Sequence, residues 1–82
     1  MKLYRVEVGF KDGHWENETI PYGSLEESIR AAKAFSTFIR AEDSLRSGVY
    51  RVVFIGKRRD TIKRIYQDGK DIKKHGHKSR GQ

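Results

Sequence analysis

Lys57, Arg58 and Arg59 stand in a row between Gly56 and Asp60, and cations recur after them at Lys63, Arg64, Lys70, Lys73, Lys74, Lys78 and Arg80. Ammonium and guanidinium groups at that density hold phosphate or carboxylate oxygens by charge-assisted hydrogen bonds. They could track a phosphate backbone, and six such contacts to duplex would give a salt slope of about −5. The charge layout sharpens this reading. Residues 1–56 hold eight Lys/Arg against eight Asp/Glu, whereas residues 57–82 hold ten against three, so the whole net charge of +7 belongs to the carboxyl-terminal part. A balanced body with one basic end suits a polyanionic partner: nucleic acid, a nucleoprotein or an acidic protein face. The plain alternative is a solvated turn and a tail that only keeps a small protein soluble.

Other chemistry finds little support. The histidines are His14, His75 and His77. His14 adjoins a turn signal, and the other two lie in a segment without apolar residues, where nothing would fix a general base at a constant distance from its proton. His75 and His77 supply two ligands where a tetrahedral metal site needs four. With no cysteine there is neither a disulfide nor a thiolate site. Gly76-His77-Lys78-Ser79 lacks the strand, spacing and helix of a phosphate loop. We therefore expect no catalytic residue, no metal and no cofactor. No apolar run is long enough for a membrane span or a signal peptide, so the expected compartment is the cytoplasm.

The elements that must carry the basic groups follow from periodicity. Lys2–Phe10 alternates, with Tyr4, Val6, Val8 and Phe10 on one face and Arg5 and Glu7 on the other, which predicts a half-buried strand. Asp12-Gly13 predicts a tight hairpin, and the polar stretch 14–20 an edge strand returning from it. Ser24-Leu25-Glu26-Glu27 matches a capping box. From there Leu25, Ile29, Ala32, Phe35 and Ile39 recur at helical spacing, with Phe38 beside them, predicting an amphipathic helix over 25–41. Leu45–Gly48 reads as a loop. Val49–Ile55, almost wholly apolar, reads as a central strand, Gly56–Asp60 as a turn, and Thr61–Gln67 as a fourth strand followed by a second turn signal, Asp68-Gly69.

The expected fold is α+β: a four-stranded antiparallel sheet in ββαββ order with one helix on one face. Residues 1–72 would form the domain and 73–82 a disordered basic tail. The apolar strands should be central neighbours and the other sheet face open. Either outer strand, 14–20 or 61–67, could pair in a dimer. Most aromatic residues read as core. Trp15, in a polar strand, either caps an open edge of the core or anchors a protein partner.

Arg46-Ser47-Gly48-Val49-Tyr50-Arg51-Val52-Val53-Phe54 resembles the Arg-x-Gly-x-Tyr-Arg-Val strand of RelE/ParE-type toxins, some of which cut messenger RNA on the ribosome. That resemblance covers nine residues and implies a ribosome-dependent RNase, with Arg51 and Arg64 the residues to test. No catalytic residue is carried over, because that family usually places two helices after its first strand, where this chain offers a hairpin and one helix. Over residues 2–67 the length and element order are similar to small phage and prophage proteins, including anti-CRISPR inhibitors and inhibitors of host polymerase. This implies a protein that blocks or modulates a host complex. The leading expectation is a non-enzymatic binding protein that meets nucleic acid or an acidic partner through Lys57, Arg58, Arg59, Lys63, Arg64, Lys70, Lys73 and Lys74.

Overall fold

The computed structural model describes residues 2–38 and 45–73. Five strands and one helix appear in the order β1 (Tyr4–Phe10), β2 (Trp15–Asn17), α1 (Leu25–Phe38), β3 (Arg46–Phe54), β4 (Thr61–Gln67) and β5 (Lys70–Asp71). They build one antiparallel sheet in the spatial order β2-β1-β3-β4-β5. The fold class is α+β, as the periodicity predicts. The strand count departs from four, because Lys70 and Asp71 fold back onto Gln67 and Tyr66 as a short fifth strand. The turn between β4 and β5 is the reason. Asp68 (φ 54°) and Gly69 (φ 79°) both take the left-handed region, the geometry of a two-residue hairpin turn whose twist matches the flanking strands.

The two apolar strands are neighbours, with Tyr4 opposite Phe54, Val6 opposite Val52 and Val8 opposite Tyr50. The far side of Tyr50 faces Tyr66 on β4. These residues form the core with Ala32 of the helix, while Leu25, Ile29 and Phe35 pack around its rim. β3 starts earlier than the sequence suggests. Arg46–Gly48 form a bulged start of the strand rather than a loop, with a register shift opposite Val8–Phe10 and Gly48 at positive φ. The Ser47 hydroxyl holds the irregular stretch by donating to the Gly9 carbonyl at 2.9 Å. β2 is shorter than its expected span.

Ser24 caps the helix, its oxygen accepting the N–H of Glu27 at 3.1 Å. The buried row is Ser28, Ala32 and Ser36 rather than the largest apolar residues. Small side chains at i, i+4 spacing let the helix lie close on the sheet, and the larger apolar groups fill the flanks. The two serine hydroxyls donate to the carbonyls of Leu25 (2.7 Å) and Lys33 (3.0 Å), so neither is buried without a partner. Ser36 also accepts the N–H of Gly69 at 2.9 Å, which pins the end of the helix to the β4–β5 turn. Phe38, expected beside the stripe and in the core, is 78% exposed. It lies two residues past Ser36, about 200° around the helix from the buried row. The expected extension of the helix to 41, and the tail from 74, fall outside the described residues.

At the other end of β1, His14 joins both strands of the hairpin. Its Nδ1 lies 2.5 Å from Asp12 Oδ1 and its Nε2 2.9 Å from Glu16 Oε2, while the ring stacks on Phe10 at 4.5 Å. A neutral imidazole has a single N–H, so both contacts are hydrogen bonds only in the imidazolium form. Glu16 first, then Asp12, hold the imidazole above its ordinary value of 6.5. The bond from the His14 backbone N–H, followed by the ring, holds Asp12 below its ordinary 3.8. The His14 contribution to hairpin stability is therefore complete below about pH 6.5 and lost as pH rises through its raised value. The Asp12 contribution is complete above about pH 3.8 and lost as pH falls through its lowered value. A proton NMR titration of His14 should give a midpoint above 6.5, which Asp12→Asn with Glu16→Gln should return to the ordinary value. An unchanged midpoint in the double variant would refute the arrangement.

Candidate nucleic-acid interface and the open sheet face

The helix covers one face of the sheet, and the alternation of the strands assigns the opposite face to Arg5, Glu7 and Gly9 of β1 and Val49, Arg51 and Val53 of β3. Opposite these lie Trp15 and Asn17 of β2 and Ile62 and Ile65 of β4. The centre of this face is ionic. Glu7 is only 7% exposed, and its two carboxylate oxygens accept from Arg51 Nε and Arg5 Nε, each at 2.6 Å. Arg5 then reaches Asp60 with Nη2 at 2.5 Å. The guanidinium of Arg51 also lies 4.0 Å from the centre of the Trp15 ring. One chain of charge thus runs from Trp15 on β2, through Arg51, Glu7 and Arg5, to Asp60 at the far end of the sheet.

Trp15 belongs to this face as a cover. It sits opposite Gly9 in the register. A Cβ built on Gly9 would approach the indole to within 3.1 Å, so the ring occupies the space a side chain would need. The half-buried indole fills a gap over the glycine while stacking against a cation. The indole thus covers the open sheet face over Gly9 beside Arg51, and part of its surface stays exposed.

The basic turn lies at the end of the sheet where Asp60 meets Arg5. Lys57, Arg58 and Arg59 are all exposed. The turn folds back tightly, because a Cβ on Gly56 would collide with the Arg59 carbonyl oxygen. Asp60, the acid closest in sequence to these three cations, is held by Arg5, whose guanidinium keeps the carboxyl below its usual range. Among the described residues no carboxylate pairs with Lys57, Arg58 or Arg59. The arginines of the strands differ in this respect: Arg5 and Arg51 pair with Glu7, Arg46 lies 3.6 Å from Glu18, and Arg64 lies 3.7 Å from Asp71.

The other expected contact residues are spread out. Lys63 is the extra residue of a bulge in β4, where Val52 faces Arg64 and Val53 faces Ile62. Arg64 shares the helix-side face with Val52. Lys70, on β5, lies at the end of β4 away from the turn, about 20 Å along a seven-residue strand. Lys73 follows β5, and Lys74 falls outside the described residues. Lys57–Arg59 therefore form one cluster, and Lys70 with Lys73 a separate one. The expected dimer edge also changes, since β5 lies outside Tyr66 and Gln67.

Sequence reasoning missed the Arg5–Glu7–Arg51–Asp60 chain. Its one local signal was Arg51, a cation inside an otherwise apolar strand. Among the described residues no cluster of three or more His, Cys, Asp or Glu could hold a metal ion. Nor is any helix there long and apolar enough to cross a membrane. No family model, curated protein or solved structure matches this chain.

Proposed function

We propose that this chain is a non-enzymatic binding protein that holds a polyanion, first of all a nucleic-acid backbone, on the Lys57–Arg59 turn, with the basic segment from Lys73 onward adding further phosphate contacts. The observation that carries the reading is the state of the turn. Three exposed cations stand without an acidic partner among the described residues, while the neighbouring carboxylate of Asp60 is engaged by Arg5. Among the described residues a phosphate approaching the turn has no ion pair to displace, and each one neutralised releases counterions from the nucleic acid.

Binding of a labelled oligonucleotide duplex, measured across a salt series, tests this. Three phosphates neutralised by the turn alone give a slope of log K against log salt of about −2.7, or about 40-fold weakening between 50 and 200 mM salt. Contacts from the basic segment steepen it. The Lys57→Glu, Arg58→Glu, Arg59→Glu variant should lose that share of the slope and bind at least tenfold more weakly at low salt. Equal slopes for the variant and the parent chain would rule the turn out.

A further inference from the structure

β4 carries a second feature that the turn does not use. It is paired with β3 from Thr61 to Gln67 except at the Lys63 bulge, but β5 covers only Tyr66 and Gln67 on the other side. The outer edge of Thr61–Ile65 therefore has no strand against it among the described residues. Such an edge presents backbone N–H and carbonyl groups that pair readily with another extended chain, apart from the Lys63 carbonyl, which already accepts from Arg64 Nη1 at 2.9 Å.

The side chains along this edge state what that chain must be. On the open face lie Ile62, 37% exposed, and the half-buried Ile65. On the helix side lies Arg64, and the half-buried Lys63 forms the bulge between Ile62 and Arg64. The turn with Lys57, Arg58 and Arg59 closes one end, and Lys70 and Lys73 close the other. Residues 57–73 hold seven Lys/Arg against three Asp. One of those acids is bound to Arg5, and another lies 3.7 Å from Arg64. A second copy of this chain is a poor occupant. Antiparallel pairing about Lys63 would set two lysines opposite each other, a destabilising cross-strand pair and a common device against edge-to-edge association.

We propose that the Thr61–Ile65 edge of β4 receives an extended acidic segment of a partner protein as an added strand, with apolar residues over Ile62 and Ile65 and carboxylates alternating toward Arg64 and the flanking cations. Backbone pairing supplies the register, and the two-residue period of a strand supplies the alternation. This interface is distinct from the nucleic-acid contact at the turn: it requires backbone hydrogen bonds, whereas phosphate binding requires only charge.

The test uses the full chain and an octapeptide alternating glutamate and valine. Two N-methylated forms accompany it, each blocking the amides of one edge of the peptide. Amide hydrogen exchange of residues 61–65, read by NMR, should slow at least tenfold on adding the unmodified peptide. One N-methylated form should bind at least tenfold more weakly and the other nearly unchanged, because an added strand uses a single edge. Lys63→Glu, a change at the half-buried bulge residue of β4, should weaken the unmodified peptide several-fold while leaving the melting temperature of the free chain within about 2 °C. Equal binding by both N-methylated forms would reduce the contact to charge alone and overturn the proposal. So would slowed exchange confined to 57–59, absence of binding, or the same protection at 61–65 produced by an oligonucleotide.

Discussion

Tyr50→Ala should cost about 3–5 kcal/mol of folding stability, as expected when a large aromatic side chain is removed from a close-packed core. Tyr50 is fully buried at the middle of the central strand. It faces Val8 on one neighbouring strand and Tyr66 on the other, and its ring stacks on Phe35 of the helix at 5.6 Å between centres. Among the described residues no other fully buried side chain approaches its volume, so the surrounding valines cannot collapse into the space it leaves. A domain of this length has a total stability of about 4–12 kcal/mol, and the variant should stand near its unfolding limit. Urea denaturation measures the loss. A cycle with Phe35→Ala isolates the ring pair, for which about 0.5–1.5 kcal/mol of coupling is expected. A loss below about 1 kcal/mol for Tyr50→Ala would show that this residue is not the centre of the core.

Glu7→Gln should cost about 2–3 kcal/mol. The amide retains nearly the same volume but cannot neutralise Arg5 and Arg51, which both donate to the Glu7 carboxylate from partly buried positions. Removing one partner of a fully buried ion pair costs about 3–5 kcal/mol, because an uncompensated charge is left behind. The figure here is lower because each guanidinium retains roughly a fifth of its exposure, and so some hydration. In a domain of this size each kcal/mol moves the melting temperature by about 4–8 °C, so a fall of roughly 8–24 °C is expected. Arg51→Met with Glu7→Leu should recover part of the loss, since it removes the Arg51 charge along with its partner while Arg5 keeps only its pair with Asp60. A melting temperature within about 2 °C of the parent for Glu7→Gln would show the bridge to be solvated and of little energetic weight.

The two variants also separate the two faces of the sheet. Tyr50 reports on the helix side, where packing density sets stability. Glu7 reports on the open side, where a satisfied ionic chain takes the place of a second helix layer. An antiparallel sheet can leave one face to water when that face is polar. Here Val53 is nonetheless almost fully buried on the open side, with Arg5 and Ile62 as its cross-strand neighbours. The aliphatic stems of arginines held in place by Glu7 can cover apolar surface in this way.

Whatever depends on neighbours along the chain was already legible in the order of residues. Period-two alternation in Tyr4–Phe10 set β1 and its inward face, the near-continuous apolar run set β3 at the centre, and Ser24 set the start of the helix. Asp68-Gly69 marked a turn for a local reason, the tolerance of both residues for positive φ. The charge asymmetry was likewise plain from counting. Which groups meet depends instead on how distant strands pair. Glu7 and Arg51 are 44 residues apart and Arg5 and Asp60 are 55 apart, and antiparallel register alone brings each pair within hydrogen-bonding distance. The same register placed Trp15 over Gly9. Close approach of helix to sheet selected Ser28, Ala32 and Ser36 for the buried row, an order that apolarity alone would reverse for Phe38. Local periodicity fixes the direction in which a side chain points. What it points at is settled when distant strands pair, because the energies of burial and ion pairing exist only once both partners are in place.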